Sequence, residues 1–342
     1  MSISKIILRN VTVFENLEMQ FAPGINIFIG PNGTGKTHMM KLLYSACRAS
    51  DPKNSFSQKI VRCFGPDDYQ ISRLLRRKPG NSEALIRVIS QHEGKKQEIS
   101  ACFNNKTVKW DASVRGEEAW EKQRAKLSSI FIPAKEILSH SYNLNAAVEM
   151  NNVVFDDTYL DVINAAKIAI TAGKNSTVKQ TLLNRIEEII EGKVFFDVKR
   201  DEFYLKKGNS KVEFNLVAEG IRKIALLWQL VKNGMLMQGS VLFWDEPEAN
   251  INPKHIPIIA EMLLELQRNG VQVFVSTHDY FLSKYLEIKR LDTDNVMYHS
   301  FYFGDAAVQS ESAEHFKQLS NNVILDTFIE LYQEEMDKVM GS

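Results

Sequence analysis

The hydrophobic positions of the chain follow two periods, one typical of strands and one typical of helices. The first 30 residues predict two antiparallel strands, SKIILRNVTVF and ENLEMQFAPG, followed by a buried apolar strand, INIFIG. Apolar residues then recur at helical spacing in HMMKLLYSAC. A glycine-rich loop therefore connects a buried strand to a helix.

Between residues 51 and 216 the hydrophobic patterns are shorter than those at the start of the chain. Residues 51–83 are polar and contain several Pro and Gly, so we predict a loop region with one short helix from about Asp68 to Arg77. Strands predicted at ALIRVIS, QEISACF, TVKW and SIFIP complete a β-rich lobe over residues 1–155. Two helical patterns, separated by Gly173, Asn175 and Ser176, and the alternating runs VFFDV, EFYLK and KVEFNL predict a small helical insertion with a β meander over residues 156–216.

Residues 217–342 alternate between helices and strands. The pattern predicts helices at EGIRKIALLWQLVKNG, at residues 253–269, at DYFLSKYLE and at residues 322–340. Strands are predicted between them at SVLFWDEP, VQVFVST and NVMYHSFYF. This alternation predicts an α/β fold with a mostly parallel core sheet.

Composition narrows the class of protein further. Lys plus Arg equals Asp plus Glu, at 42 each, so the chain lacks the basic excess of a dedicated nucleic-acid binder and any DNA contact must be local. Three cysteines without metal-ligand spacing favour a reducing compartment. The apolar runs are far shorter than the roughly 20 residues of a membrane span. We therefore expect a cytoplasmic protein without a membrane partner.

The glycine-rich loop carries the most specific motif in the chain. GPNGTGKT fits the pattern G-x-x-x-x-G-K-[ST], in which backbone N–H groups surround a polyphosphate. Lys36 would reach the β- and γ-phosphates, and the Thr37 hydroxyl would ligate Mg²⁺. The first lobe is thus predicted to bind ATP. The predicted nucleotide-binding residues of this loop are Gly30, Pro31, Asn32, Gly33, Thr34, Gly35, Lys36 and Thr37.

Two later motifs supply the groups that hydrolysis requires. VLFWDEPEANINP is an apolar strand that ends in two carboxylates; Asp245 would hold Mg²⁺ and Glu246 would act as the general base for the attacking water. VFVSTHDYF places His278 just beyond another buried strand, where an imidazole could contact a γ-phosphate. The predicted catalytic residues are Glu246, His278 and Lys36.

The order GPNGTGKT, LVAEGIRKIALL, VLFWDEPEANINP, VSTH resembles the P-loop heads of the ABC ATPase superfamily. Within it, the chain looks like the RecF-like branch, which includes the structural-maintenance-of-chromosomes (SMC) heads and the overcoming-lysogenization-defect ATPases. The resemblance implies an ABC-ATPase-type head with a P-loop NTPase fold. It covers both ends of the chain, whereas the helical insertion and residues 51–83 are not matched in detail.

The resemblance also implies residues that would act across a dimer. It places an ABC signature at residues 217–221, where Ala218 and Gly220 would face the ATP of a second subunit. Ala218 stands where the family often has a serine, and Glu219 replaces a glycine. EANINP resembles the family's D-loop, with Asn250 as the candidate contact. IFIPAKEIL stands at the Q-loop position but lacks a glutamine, which leaves Lys135 or Glu136 as a candidate sensor.

These features predict an ATPase that closes and opens as a head-to-tail dimer or a larger assembly of itself. Its related ATPases act in DNA repair and anti-phage defence, so we expect a DNA-associated process controlled through a separate effector such as a nuclease, with DNA as a possible ligand. Two alternatives stay open: a nucleotide-gated scaffold with slow turnover, and the nucleotide-binding subunit of a transporter.

Two surface features admit two interpretations each. SRLLRRKPG, with Arg73, Arg76, Arg77 and Lys78, could bind DNA phosphates or form an ordinary solvated face. The apolar side of the last helix, with Ile324 and Phe328, could form a subunit interface or pack on its own domain.

Overall fold

The computed structural model describes residues 2–77, 80, 82–92, 94–124, 128–150, 155–170 and 176–341. Within these ranges the strands form three sheets. The strands are β1 (Ser2–Val11), β2 (Phe14–Gln20), β3 (Ile25–Ile29), β4 (Glu83–His92), β5 (Lys95–Asn104), β6 (Ser113–Arg115), β7 (Ser129–Ile132), β8 (Lys193–Asp197), β9 (Glu202–Lys207), β10 (Ser210–Glu213), β11 (Val241–Asp245), β12 (Gln272–Ser276), β13 (Val296–Phe303) and β14 (Val308–Ala313). The helices are α1 (Lys36–Arg48), α2 (Phe56–Phe64), α3 (Glu117–Arg124), α4 (Leu144–Glu149), α5 (Asp157–Lys167), α6 (Thr177–Ile190), α7 (Glu219–Lys232), α8 (Ile256–Arg268), α9 (Tyr280–Lys289) and α10 (Val323–Met340).

A six-stranded sheet in the order β14-β13-β3-β12-β11-β7 forms the centre of the molecule. Its strands are parallel except for β14, which pairs antiparallel with β13. Every residue of β3, β7, β11 and β12 is buried, because helices or a second sheet cover both faces. The predicted α/β fold with a mostly parallel core sheet is confirmed.

The two faces of the central sheet belong to different hydrophobic cores. On one face, α1 packs between the central sheet and a five-stranded antiparallel sheet of order β2-β1-β4-β5-β6. On the other face, α5 to α8 form the second core together with the meander β10-β9-β8. The central sheet takes strands from residues 1–155 and from residues 217–342, so these two predicted segments share one sheet.

Residues 51–83 contain more structure than their sequence predicted. Helix α2 lies in this region, and the helix expected from Asp68 to Arg77 is replaced by two 3₁₀ turns at Asp67–Tyr69 and Ile71–Leu74. The prediction missed α2 because nine residues are too few to signal a helix locally. Long-range contacts hold it: the Phe56 N–H donates to Glu117 at 2.8 Å, and Lys59 pairs with two carboxylates of α5.

One predicted strand was wrong, and one strand of the structure was not predicted. TVKW forms turns, and the strand that pairs with β5 begins later, as β6. Strand β14 was not predicted because VQSESA is a largely polar edge strand whose pairing with β13 provides its register. The two helices of the insertion and the three strands of the meander are confirmed, with Ser176 as the N-cap of α6. Gly173 and Asn175 lie outside the described residues.

Across the described part of the chain, none of the helices combines the length and apolar character that a membrane span requires.

Candidate nucleotide site

The glycine-rich loop joins β3 to α1 at the carboxyl edge of the central sheet. Gly30 and Gly35 have φ of 135° and 91°, in the region that side chains disfavour. A Cβ on Gly30 would overlap the Phe301 carbonyl, and a Cβ on Gly35 would lie 2.7 Å from both Phe14 and Val13. Only glycine therefore fits these positions, and the backbone stays open as a cradle for phosphates.

Lys36 begins α1 and points back over this loop. Its Nζ donates to the carbonyl of Gly30 at 2.8 Å and to that of Pro31 at 3.1 Å. Burial lowers the pKa of Lys36 to about 8, although Asp245 and Glu246 oppose the shift. The Thr34 hydroxyl also donates to the Pro31 carbonyl, at 2.8 Å. The ammonium group is therefore held beside the loop and faces the two carboxylates that follow β11.

Thr37 and Asp245 meet although they are 208 positions apart. The Thr37 hydroxyl donates to Asp245 Oδ2 at 2.9 Å, and the Ser276 hydroxyl donates to Oδ1 of the same carboxylate. Parallel pairing of β11 with β12 places Asp245 directly opposite Ser276. A hydroxyl beside a carboxylate provides the oxygen ligands that Mg²⁺ prefers, so Thr37 and Asp245 fit the metal predicted for them.

Glu246 and His278 lie side by side at the same edge of the sheet. His278 Nε2 is 3.8 Å from Glu246 Oε1, and both side chains are partly exposed. Glu246 has a φ of 46°, a strained conformation held by its N–H bond to the Ser276 carbonyl at 3.0 Å. Burial and the nearby Lys36 lower the pKa of His278, whereas Glu246 opposes this shift. An imidazole whose protonation is disfavoured therefore stands 3.8 Å from the Glu246 carboxylate.

Ala218, Gly220 and Asn250 form a second group, around the start of α7. Ala218 is the N-cap of this helix and offers no side-chain cap. A Cβ on Gly220 would overlap the Asn250 carbonyl, so the first turn of α7 packs directly on the turn that follows β11. Asn250 is exposed, with a left-handed φ of 62°. The exposed Ala218 and Asn250 thus flank the buried Gly220, where the start of α7 meets the turn after β11.

Glu136 is engaged by α7. The Arg222 Nε donates to Glu136 Oε2 at 2.6 Å, and Arg222 Nη1 donates to the carbonyl of Val217 at 2.6 Å. Ser139 also donates to Glu136, at 2.8 Å. Lys135, the other Q-loop candidate, is exposed. The structure therefore assigns Glu136 to holding the start of α7 and gives it no role as a free phosphate sensor.

Sequence reasoning missed four residues around the site: Lys223, Glu248, Ser276 and Thr277. Ser276 touches the predicted metal ligand Asp245, and Lys223, which is 1% exposed, donates to the Ala249 carbonyl at 3.0 Å. Only Glu248 carried a signal, as a third acidic residue in the run DEPE. The others are ordinary residues of a strand end or a helix, so their roles become visible only when the strands are aligned.

The loop, the carboxylates after β11 and the histidine after β12 define the class as a P-loop ATPase head of the ABC type. The chain belongs to the family described as "AAA domain, putative AbiEii toxin, Type IV TA system", whose model matches residues 25–284. Curated relatives match over a shorter stretch. The DNA replication and repair protein RecF of Bacillus thuringiensis (strain Al Hakam) is 31% identical over 100 residues, which is 29% of this chain and 26% of that protein.

RecF of Lacticaseibacillus casei (strain BL23) is 26% identical over 99 residues, again 29% of this chain and 26% of the relative. Solved SMC heads share the fold over nearly the whole chain. The SMC head domain from Thermotoga maritima is 13% identical, with a TM-score of 0.52 over 92% of this chain and 100% of that one. An SMC head bound to the C-winged helix domain of ScpA is 10% identical, with a TM-score of 0.59 over 93% and 99%. The chain is therefore an ABC-superfamily ATPase head of the RecF and SMC type.

Proposed function

We propose that this chain binds ATP with Mg²⁺ and hydrolyses it to ADP and phosphate, with Glu246 as the general base. The observation that carries the proposal is the convergence of three elements on one edge of the central sheet. Lys36 follows β3, Asp245 ends β11 with Glu246 directly after it, and His278 follows β12. Ligands of open α/β sheets bind at this edge.

Each residue has a role that its position supports. The backbone N–H groups of residues 30–37 would surround the phosphates, and the Lys36 ammonium would move from the loop carbonyls to phosphate oxygens. Thr37 and Asp245 would hold Mg²⁺, which supplies charge neutralisation at the phosphates. Glu246 would orient and deprotonate the attacking water, and His278, held at 3.8 Å from it, would contact the γ-phosphate.

The second group of residues supports a pairing of two heads. Ala218 and Gly220 open a helix whose N-terminus is a natural anion site, and they sit against the exposed Asn250. In a head-to-tail dimer, or in a larger assembly of such pairs, this surface would face the ATP bound to the partner. ATP binding would then favour the closed pair, and hydrolysis would release it.

The cellular process we propose is DNA-associated, in repair or anti-phage defence, within the cytoplasm and through a separate effector. The curated relatives support repair by their name, and the family description supports a defence-type role. Direct DNA binding has weaker support. Arg73 pairs with Asp67 at 2.9 Å and Arg76 with Glu15 at 3.3 Å, so both are already engaged by acids, and Lys78 lies outside the described residues.

The test is steady-state ATP hydrolysis across a protein concentration series, with and without double-stranded DNA, for the wild type and Glu246→Gln. We expect turnover per subunit to rise with concentration and to fall by at least about 100-fold in the variant, since a general base contributes 10² to 10⁴. ATP binding should persist in Glu246→Gln and be lost in Lys36→Met. Full turnover in Glu246→Gln would refute the role of this residue, and turnover independent of concentration would refute pairing.

One observation favours a second candidate, a nucleotide-gated scaffold that turns over slowly. Ala218 provides no hydroxyl at the signature position, so the contact from α7 to a partner's γ-phosphate is weaker than with serine. Tight ATP binding and ATP-dependent pairing with negligible turnover in the wild type would support the scaffold and refute the enzyme.

A further inference from the structure

Glu248 lies in the turn after β11 and reaches across to the segment that carries His278. Its Oε1 accepts the Thr277 hydroxyl at 2.6 Å and the His278 main-chain N–H at 3.2 Å. The Thr277 hydroxyl in turn accepts the Asp279 N–H at 2.9 Å, and the Thr277 N–H donates to the Phe28 carbonyl at 3.0 Å. One carboxylate oxygen therefore holds two consecutive residues before α9, Thr277 through its side-chain hydroxyl and His278 through its main-chain N–H.

The same turn is fastened to α7 on its other side. Lys223 donates to the Ala249 carbonyl at 3.0 Å and to the Glu246 carbonyl at 3.5 Å, while Gly220 packs against the Asn250 carbonyl. Internal bonds close the turn, from the Ala249 N–H to the Glu246 carbonyl at 3.1 Å and from the Ile251 N–H to the Glu248 carbonyl at 3.0 Å. Residues 246–251 thus connect the start of α7 to the histidine segment.

Burial of the Glu248 carboxyl group lowers the stability of the fold, and packing alone does not explain why the group is there. Its Oε2 is buried and has no hydrogen-bond partner among the described residues. Burial raises the pKa of Glu248 to about 7, although its bonds from Thr277 and His278 oppose the rise. A buried polar atom without a partner costs stability and calls for an explanation other than packing. The acceptor role of Oε1 supplies that explanation.

We infer that Glu248 is a positioning residue, which holds the Thr277 hydroxyl and the His278 main-chain N–H so that the imidazole stays beside Glu246. Through the shared turn it also links the start of α7 to the hydrolytic centre. Glu248 is not a second base in this arrangement, because Oε1 is occupied by two donors and Oε2 is shielded from water. The inference rests on the proposed ATP hydrolysis at Glu246.

Two pairs of variants separate hydrogen bonding from charge and from packing. Glu248→Gln keeps an acceptor oxygen, whereas Glu248→Ala removes it; Thr277→Ser keeps the hydroxyl, whereas Thr277→Val removes it at nearly constant volume. We expect kcat to fall by about tenfold or more in the Ala and Val variants, with KM for ATP within about twofold, since small misplacements of catalytic groups act on kcat. The Gln and Ser variants should stay within about threefold of the wild type.

The position of His278 can be followed without any turnover. The ring signals of His278, assigned with a His278→Gln variant, should shift or broaden in the NMR spectra of Glu248→Ala and Thr277→Val, and stay in place in the Gln and Ser variants. Unmoved ring signals in Glu248→Ala would overturn the inference, as would a loss of kcat in Glu248→Gln as large as that in Glu248→Ala. If Glu246→Gln kept full turnover, the proposed function would fail, and the ring signals would still decide the positioning role.

Discussion

His299 shows how strongly burial sets the chemistry of single residues in this fold. It lies within β13, fully buried, with Nδ1 2.7 Å from the Ser312 hydroxyl and Nε2 3.2 Å from Asn26 Oδ1. The rings of Phe21 and Phe28 pack on it at 5.6 and 5.3 Å. Burial lowers the pKa of His299 to about 3, so the imidazole is neutral throughout the physiological range.

The lowered pKa of His299 predicts that the stability of the protein depends on pH. The pKa of His299 is lower in the folded than in the unfolded chain, where it is about 6.5, so the unfolded chain binds the proton first as pH falls. Its contribution to the free energy of unfolding is complete above pH 6.5 and decreases towards pH 3, by about 2 kcal/mol between pH 7.5 and pH 5. Glu248, with a pKa raised to about 7, has the opposite pH dependence over this range, so the contribution of His299 appears in the comparison with a variant. Between pH 7.5 and pH 5, urea unfolding should show a change in the free energy of unfolding that is about 2 kcal/mol less favourable in the wild type than in His299→Gln.

The exposed His140 provides the matched control for the replacement of a histidine by glutamine, because its side chain lies outside both hydrophobic cores. Equal pH dependence in the wild type and His299→Gln would contradict the prediction.

At the scale of elements, α7 begins without a side-chain cap. The side chain of its N-cap, Ala218, cannot accept a hydrogen bond from the first turn, and the helix start is held by tertiary contacts from Gly220, Arg222 and Lys223. Other helices have side-chain caps, such as Asp156 on α5. The start of α7 is therefore placed by its neighbours and not by local capping.

A cap introduced at this position should stabilise the protein. Because Ala218 is exposed and already has an extended backbone, Ala218→Ser can accept an N–H of the first turn without displacing a neighbour. We expect the free energy of unfolding to rise by about 0.5 to 1 kcal/mol, measured by urea denaturation. Ala218→Val, which adds atoms but no acceptor, should give no such gain; an equal gain in both variants would refute capping as the cause.

At the scale of the molecule, a group of charges joins the first lobe to the insertion. Lys59 of α2 is 2% exposed and lies 2.6 Å from both Asp157 and Asp161 of α5. The Tyr44 hydroxyl donates to Asp161 at 2.5 Å, and Lys41 pairs with Asp156 at 2.9 Å. These bonds connect residues about 100 positions apart and orient the insertion against the nucleotide-binding lobe.

Replacing one member of this charged group should lower the free energy of unfolding, because the remaining charges lose their counter-charge. Lys59→Met should lower the free energy of unfolding by about 3 kcal/mol. The double variant with Asp161→Asn should lose less than the sum of the single variants, which a double-mutant cycle measures. Arg73→Met breaks an exposed ion pair with Asp67 and should change stability by less than about 1 kcal/mol. Strict additivity at Lys59 and Asp161 would contradict the network.

The motifs of the site could be predicted because each is short and continuous in the chain. Each motif stands at the end of a buried apolar strand: residues 30–37 after β3, Asp245 and Glu246 at the end of β11, and His278 after β12. Parallel strands end at a common edge, so these motifs were expected to meet. Glu248 and Thr277 could not be assigned in this way. Their bond depends on the path of a turn whose two strained residues, Glu246 and Asn250, are held by contacts with other elements.

The sequence by itself determined the period of each long element, the class of fold and the chemistry of the phosphate loop, because these depend on residues close together in the chain. Only the tertiary structure determined that helix α2 and the edge strand β14 form. It also determined the ion pair of Glu136 with Arg222 and the hydrogen bond from the His278 N–H to Glu248. Each of these depends on contacts between segments that are distant in sequence, and such contacts exist only once both hydrophobic cores have formed.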